Sequence, residues 1–158
     1  MFYSDLFYPI FKFIGLGKLW KISESFCKAV DNSFESTHAY KWLSENAYKY
    51  GFILRYPADK TDVTGYDYES WHYRFVGRYH ATAIAESGLC FEEYLELIRD
   101  HSHDNPLTFT ADNGNTYQVY YVAYSGNPTS VPVPKNNPYT ISGDNMNGFI
   151  VTVENIIE

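Results

Sequence analysis

Residues 66–77 read Tyr66-Asp67-Tyr68-Glu69-Ser70-Trp71-His72-Tyr73-Arg74-Phe75-Val76-Gly77. From Trp71 the residues alternate, which predicts a strand with Trp71, Tyr73 and Phe75 on one face and His72 and Arg74 on the other. Gly77 breaks it. Glu69 and His72 stand three apart across the junction of a loop and this strand, where both can point at one site. A histidine beside a carboxylate suits a metal ligand next to a general base. Zinc takes imidazole, and a nearby carboxylate can deprotonate water. A plain surface hydrogen bond between the two side chains is the competing reading of the same spacing.

Working upstream, Ser36 or Thr37 can cap a helix that carries Ala39, Trp42, Leu43, Ala47 and Tyr50 on one stripe, with Gly51 closing it. Residues 52–56 read as a short buried strand stopped by Pro57. Residues 58–68, with Asp59, Lys60, Asp62, Thr64 and Gly65, read as a polar loop. Downstream, a helix over 79–87 ends at Gly88, and residues 91–99 form a second, amphipathic helix. Beyond Pro106 the period changes to two. Strands over 107–110 and 116–124 flank a turn at Asn113-Gly114, and 148–153 form a closing strand. Pro128, Pro132, Pro134 and Pro138 punctuate the loop between them and point to edge positions. The expected class is α+β. It divides into a hydrophobic segment over 1–33, a mixed helix and antiparallel-sheet core over 34–103, and a β-rich extension over 104–158.

A chain of 158 residues has room for one core of this kind. Twelve basic residues against nineteen acidic give a net charge of -7, and no block of basic residues occurs, which argues against a nucleic-acid partner. Sixteen Tyr, eleven Phe and three Trp favour a β-rich domain or a cleft for flat or sugar-like ligands. Cys27 and Cys90 allow one bridge or two buried thiols. Residues 1–20 are apolar but interrupted by Asp5, Pro9 and Lys12, without a basic start or a small-residue cleavage site. The segment therefore reads as a partly buried core piece or as a membrane-surface contact, with no clear signal peptide.

Residues 42–57, Thr64-Gly65-Tyr66 and residues 69–77 together closely resemble the VanY-type D-alanyl-D-alanine carboxypeptidases, zinc peptidases of the LAS group. The resemblance runs on through Ser87-Gly88-Leu89, Glu92-Glu93-Tyr94, Val131-Pro132-Val133-Pro134 and residues 139–145, and covers about residues 34–153. It implies the C-terminal half of a LAS-type core with a small all-β extension. Carried over residue by residue, it implies Glu69 as general base, His72 as a zinc ligand and Trp71 as a residue shaping the substrate site. Arg74 and the Arg55-Tyr56-Pro57 strand end also match, with structural pairing as the expected role. The implied cofactor is zinc and the implied partner a peptidoglycan stem peptide ending in D-Ala-D-Ala, met in the cell envelope or outside the cell. A chain that is not exported would instead be cytoplasmic.

The family's upstream motif, S-x-H-x-x-G-x-A-x-D, supplies two further zinc ligands and has no clean counterpart here. No histidine precedes His38 and no arginine precedes Arg55, so the family's upstream substrate-binding arginine has no match. Ala29-Val30-Asp31 fits the end of the motif, with Cys27 at the glycine position and Glu24 at the histidine position. Two readings follow. Asp31, with or without Glu24, completes a zinc site with His72, or residues 1–33 are unrelated sequence and the chain is a catalytically silent peptidoglycan-binding or degenerate relative. Of the other histidines, His38 is expected to face solvent, His80 to open a helix without a partner, and His101-Ser102-His103 to lie in a solvated linker.

Overall fold

The computed structural model describes residues 32–110 and 114–155. Thr37 starts the first helix, its hydroxyl accepting the Tyr40 N–H at 3.1 Å. Helix α1, His38–Asn46, tightens into a 3-10 turn over Ala47–Tyr50, and Gly51 closes it at φ +90°. The tighter turn changes the phase of the expected stripe, since 3-10 geometry advances about 120° per residue against about 100° for an α-helix. Ala47 is buried, whereas Trp42 and Tyr50 stay 39% and 42% exposed and pack on each other outside the core.

Strand β1, Phe52–Leu54, pairs antiparallel with β2, Tyr73–Phe75, placing Ile53 opposite Arg74 and Leu54 opposite Tyr73. Backbone bonds extend the ladder at both ends, from Val76 N–H to the Gly51 carbonyl and from Arg55 N–H to the His72 carbonyl, each at 2.8 Å. Trp71 lies in the preceding turn rather than in the strand. The expected polar loop over 58–68 is partly helical: a 3-10 turn at Ala58–Lys60 leads into α2, Thr61–Thr64. Asp59 and Asp62 lie in the first turns of these elements, where helix dipoles favour anions, and Lys60 pairs with Glu93 at 2.9 Å.

Helix α3, Arg78–Ser87, ends at Gly88 with φ +68°. Helix α4, Phe91–Arg99, opens with the Glu93 carboxylate accepting the Cys90 N–H at 2.8 Å and closes on Arg99. Four strands follow: β3 Leu107–Thr110, β4 Thr116–Ala123, β5 Tyr139–Gly143 and β6 Gly148–Asn155. They form an antiparallel sheet in the order β3-β4-β6-β5. Strand β5 is an addition to the elements expected from sequence. All five of its residues are exposed at the sheet edge, so no alternation of apolar and polar residues marks it.

One apolar cluster joins these parts. Ile53 of β1, Ala81 and Ile84 of α3, Tyr94 and Ile98 of α4, Val119 of β4 and Ile150 of β6 pack together, so the helices and the larger sheet share a core. Tyr120, Val151 and Val153 form a second cluster that Val122 and Val131 help cover. Tyr120 Oη donates to the Pro132 carbonyl at 2.6 Å, which holds the proline-rich loop. Among the described residues, no helix is long and apolar enough to cross a membrane.

Gly148 shows how tightly the β5–β6 turn is built. A Cβ there would lie 2.1 Å from Tyr121 Oη, and that hydroxyl donates to Asn147 Oδ1 at 2.8 Å. We expect Gly148→Ala to lower stability by about 1–3 kcal/mol, because the ring must swing away and lose its partner. An unchanged urea midpoint would contradict this packing. Asp144 secures the same turn. Its Oδ1 accepts the N–H groups of Met146, Asn147 and Gly148 at 2.9–3.0 Å, and its Oδ2 meets Arg99 at 3.1 Å. Burial pushes the Asp144 carboxyl up, but the three N–H groups and Arg99 outweigh it and hold the group at about 2.

Candidate active site

The segment between α2 and β2 is tied to the end of β1 by its own backbone. Glu69 N–H reaches the Tyr56 carbonyl at 3.3 Å, His72 N–H reaches the Glu69 carbonyl at 3.1 Å, and Arg55 N–H reaches the His72 carbonyl at 2.8 Å. The tight turn at Ser70 and Trp71 brings Glu69 and His72 to the same side. His72 Nδ1 donates to Glu69 Oε2 at 2.8 Å, with the two side chains 25% and 30% exposed. His72 Nε2 and Glu69 Oε1 bond to nothing among the described residues. The two side chains meet, as both readings of their spacing, a shared site and a plain hydrogen bond, require.

Aromatic groups wall the pair. The Tyr56 ring stands edge-on to the His72 imidazole at 4.9 Å, and Tyr66 stacks on Tyr56 at 4.6 Å. Burial raises the Tyr56 phenol above its ordinary range, and Arg55 only partly offsets this, so the hydroxyl stays protonated. Arg55 forms a two-armed ion pair with Glu92, Nη1 to Oε2 at 3.0 Å and Nη2 to Oε1, tying the end of β1 to the start of α4. Burial pushes the Glu92 carboxyl up, yet the Arg55 fork wins and holds it below its usual value. Arg55, Tyr56, His72, Arg74 and Phe75 line a cleft of about 400 Å³. Trp71 is half-buried in the turn and is not in this lining, and Glu69 reaches the cleft through His72.

The remaining candidates separate. Asp31, Glu24 and Cys27 lie outside the described residues. His38 is exposed at the start of α1, as expected. His80 does not lack partners: its Nδ1 meets Tyr94 Oη at 2.9 Å and its Nε2 meets Thr152 Oγ1 at 3.0 Å, bridging α3, α4 and β6. The partners lie 14 and 72 residues away, which spacing within the helix could not reveal. His101 bonds the Asn105 carbonyl, while His103 bonds Asp104 and stands edge-on to the Tyr120 ring at 5.3 Å. Cys90 is a free, buried thiol. Arg55 takes the structural pairing role expected of it, with a partner, Glu92, that the sequence did not name, whereas the Tyr56–Tyr66 wall was not foreseen.

A zinc centre asks for three protein donors and an open position. His72 fits as one of them. A carboxylate holds its Nδ1 and leaves Nε2 unpaired, the way metal-binding imidazoles are commonly oriented. Among the described residues, no group of three His, Cys, Asp or Glu side chains converges to complete the set.

Residues 19–78 match the family model for VanY, D-alanyl-D-alanine carboxypeptidase. A D-alanyl-D-alanine carboxypeptidase of Enterococcus faecium is 44% identical over 113 residues, which are 72% of this chain and 36% of that protein. Another, from Enterococcus faecalis, is 53% identical over 72 residues, covering 42% of this chain and 27% of that one. Among solved structures, the vancomycin-resistance D,D-dipeptidase VanXYg in complex with a D-Ala-D-Ala phosphinate analogue is similar with a TM-score of 0.67. It is 37% identical, over 70% of this chain and 44% of that one. Fold and sequence thus make this chain similar to the D-alanyl-D-alanine peptidases. Its residues 19–78 belong to the VanY family. The chain spans about a third of the length of the curated relatives it matches.

Proposed function

We propose that this chain carries the general-base half of a zinc-dependent D-alanyl-D-alanine carboxypeptidase that removes the terminal D-Ala from peptidoglycan stem peptides. The observation that carries this reading is the 2.8 Å Glu69–His72 pair at the wall of a cleft, within a segment matching the VanY family. His72 would hold the metal, with Asp31 as the candidate second ligand. Zinc, when bound, supplies Lewis acidity at the scissile carbonyl and the attacking water.

The residues of the chain do the rest. Glu69 holds His72 through Oε2, which leaves Oε1 open to take a proton from water as its oxygen bonds to the amide carbon. The same carboxyl then delivers that proton to the departing D-Ala nitrogen as the C–N bond breaks. Tyr56 and Tyr66 give the peptide an apolar wall, and Trp71, in the turn between Glu69 and His72, helps shape the substrate site. The proposed setting is the cell envelope, where such peptides occur, with residues 1–20 as a membrane-surface contact.

Release of D-Ala from a peptide ending in D-Ala-D-Ala, abolished by a chelator and restored by zinc, is the expected result. A folded protein that binds the peptide without releasing D-Ala would favour the second reading, a silent peptide-binding relative. That reading draws on Glu69 and His72 bonding each other and no third metal donor among the described residues.

A further inference from the structure

Strand β5 forms one edge of the larger sheet, and two backbone bonds at its ends fix the phase of its ladder. Glu154 N–H reaches the Pro138 carbonyl at 2.9 Å, and Asp144 N–H reaches the Gly148 carbonyl at 3.0 Å. Thr140 stands opposite Thr152 and Ser142 opposite Ile150, so the even-numbered residues over 138–144 are the ones that bond β6. The N–H and C=O groups of Tyr139, Ile141 and Gly143 point the other way, off the edge. No described residue bonds to them, and all three residues are exposed.

Sheet edges are commonly guarded by a charge, a proline, a bulge or a covering element. Among the described residues β5 has none of these: it reads Tyr139-Thr140-Ile141-Ser142-Gly143, and its register against β6 is continuous. Pro138 precedes the strand, but its missing N–H faces β6, where Asn137 Nδ2 donates to the Glu154 carbonyl at 3.4 Å in its place. The open edge is also self-complementary. Set antiparallel to itself about Ile141, it pairs Ile141 with Ile141 of a second copy and Tyr139 with that copy's Gly143. Every outward donor and acceptor on both strands is then used. A shift of two residues either way leaves one of the three unpaired within the strands. The glycine gives the Tyr139 ring room, and the Ile141 side chains meet on the face that carries Val151 and Val153 of the second apolar cluster. The nearest charges along the chain are Lys135 and Asp144, and Asp144 is already paired with Arg99. Antiparallel pairing sets the Lys135 end against the Asp144 end, so opposite charges approach there.

We propose that β5 is a dimerisation edge, which pairs antiparallel with β5 of a second copy of this chain and continues the four-stranded sheet into its counterpart. The cleft at His72 lies by the smaller sheet, so the proposal is independent of the peptidase reading. Pairing along an edge uses backbone groups and leaves the faces of the strand in water, so an interface here needs no alternation of apolar and polar residues in β5.

The test is sedimentation equilibrium and amide hydrogen exchange on the full chain, from about 1 μM to about 500 μM. The chain should pass from monomer to dimer with a Kd on the order of 10 μM. Over that range the amides of Tyr139, Ile141 and Gly143 should slow by about 10-fold, while those of Thr140 and Ser142, already bonded to β6, change far less. Ile141→Lys and Ile141→Glu each set like charges against one another at the axis and should raise the Kd by about 10-fold or more. An equimolar mixture of the two variants should dimerise again. A chain that stays monomeric throughout would overturn the proposal, as would a dimer in which the three outward amides gain no protection. Protection of those amides at every concentration would show that another segment of the same chain covers the edge, and would overturn it too. Two folded variants that fail to rescue each other would place the contact elsewhere. If the variants do not fold, the wild-type exchange pattern decides.

Discussion

Replacing Glu69 with Gln should cut D-Ala release by about 10²- to 10⁴-fold, the usual scale for losing a positioned general base. Folding should survive the change. The Glu69 side chain is 30% exposed, and a glutamine carbonyl can still accept the His72 Nδ1–H bond at a similar length. What the amide cannot do is take a proton at the position of Oε1. The loss should therefore appear in kcat, with KM little altered, since the cleft lining includes His72 but not Glu69. Parallel melting curves and steady-state rates check this. A Gln variant that keeps most of its rate would remove Glu69 from the chemistry and leave it only as the orienter of His72.

The second large effect is one of stability in acid. His80 donates or accepts at both ring nitrogens, toward Tyr94 Oη on α4 and Thr152 Oγ1 on β6, and burial pushes its ionisation down to about 4. Unfolded, the same side chain titrates near 6.5. Below that pH the unfolded chain binds a proton that the folded chain refuses, so stability falls as pH drops from about 6.5 to about 4 and is level above. The gap corresponds to about 3 kcal/mol, a sizeable part of a small domain's stability. Urea midpoints across this window should decline in the wild type and flatten in His80→Gln. The His80 ring itself should show no NMR titration until the pH nears 4. A ring that titrates near 6.5 in the folded protein would contradict the enclosure. Asp144, held at about 2, loses its contribution only as pH falls from its unfolded range toward that value, so its effect lies below this window.

Local pattern carried much of this architecture, and distance set its limits. Helix α4 matches the expected 91–99 because its caps and its apolar stripe agree, with Glu93 bonding Cys90 N–H at one end and Arg99 at the other. Glycines at 51 and 88 mark real helix ends, because each sits at positive φ where a side chain would be strained. By contrast, β5 carries a single aliphatic residue, Ile141, and faces water throughout, so burial never wrote an alternation into it. The turn at 58–64 looked like loop because it buries polar Thr64 and exposes apolar Val63, so no apolar stripe marks it.

The site was legible where its partners are close in sequence. Glu69 and His72 are three apart, and the turn between them needed only to fold back. Arg55 and Glu92 are 37 apart, and His80 and Thr152 are 72 apart. Such pairs follow from the way α4 and β6 dock on the shared core, which no spacing rule along one element can express. Arg74 shows the same limit in reverse. Its match to the family suggested structural pairing, yet Glu92 is occupied by Arg55 and Arg74 is left open to the cleft.

Zinc content bears most directly on the central claim that Glu69 and His72 form half of a metallopeptidase site. Elemental analysis of the purified, folded chain should find about one zinc per molecule, lost in His72→Ala while the melting curve is retained. A protein without zinc, or a His72→Ala variant that keeps it, would contradict the account.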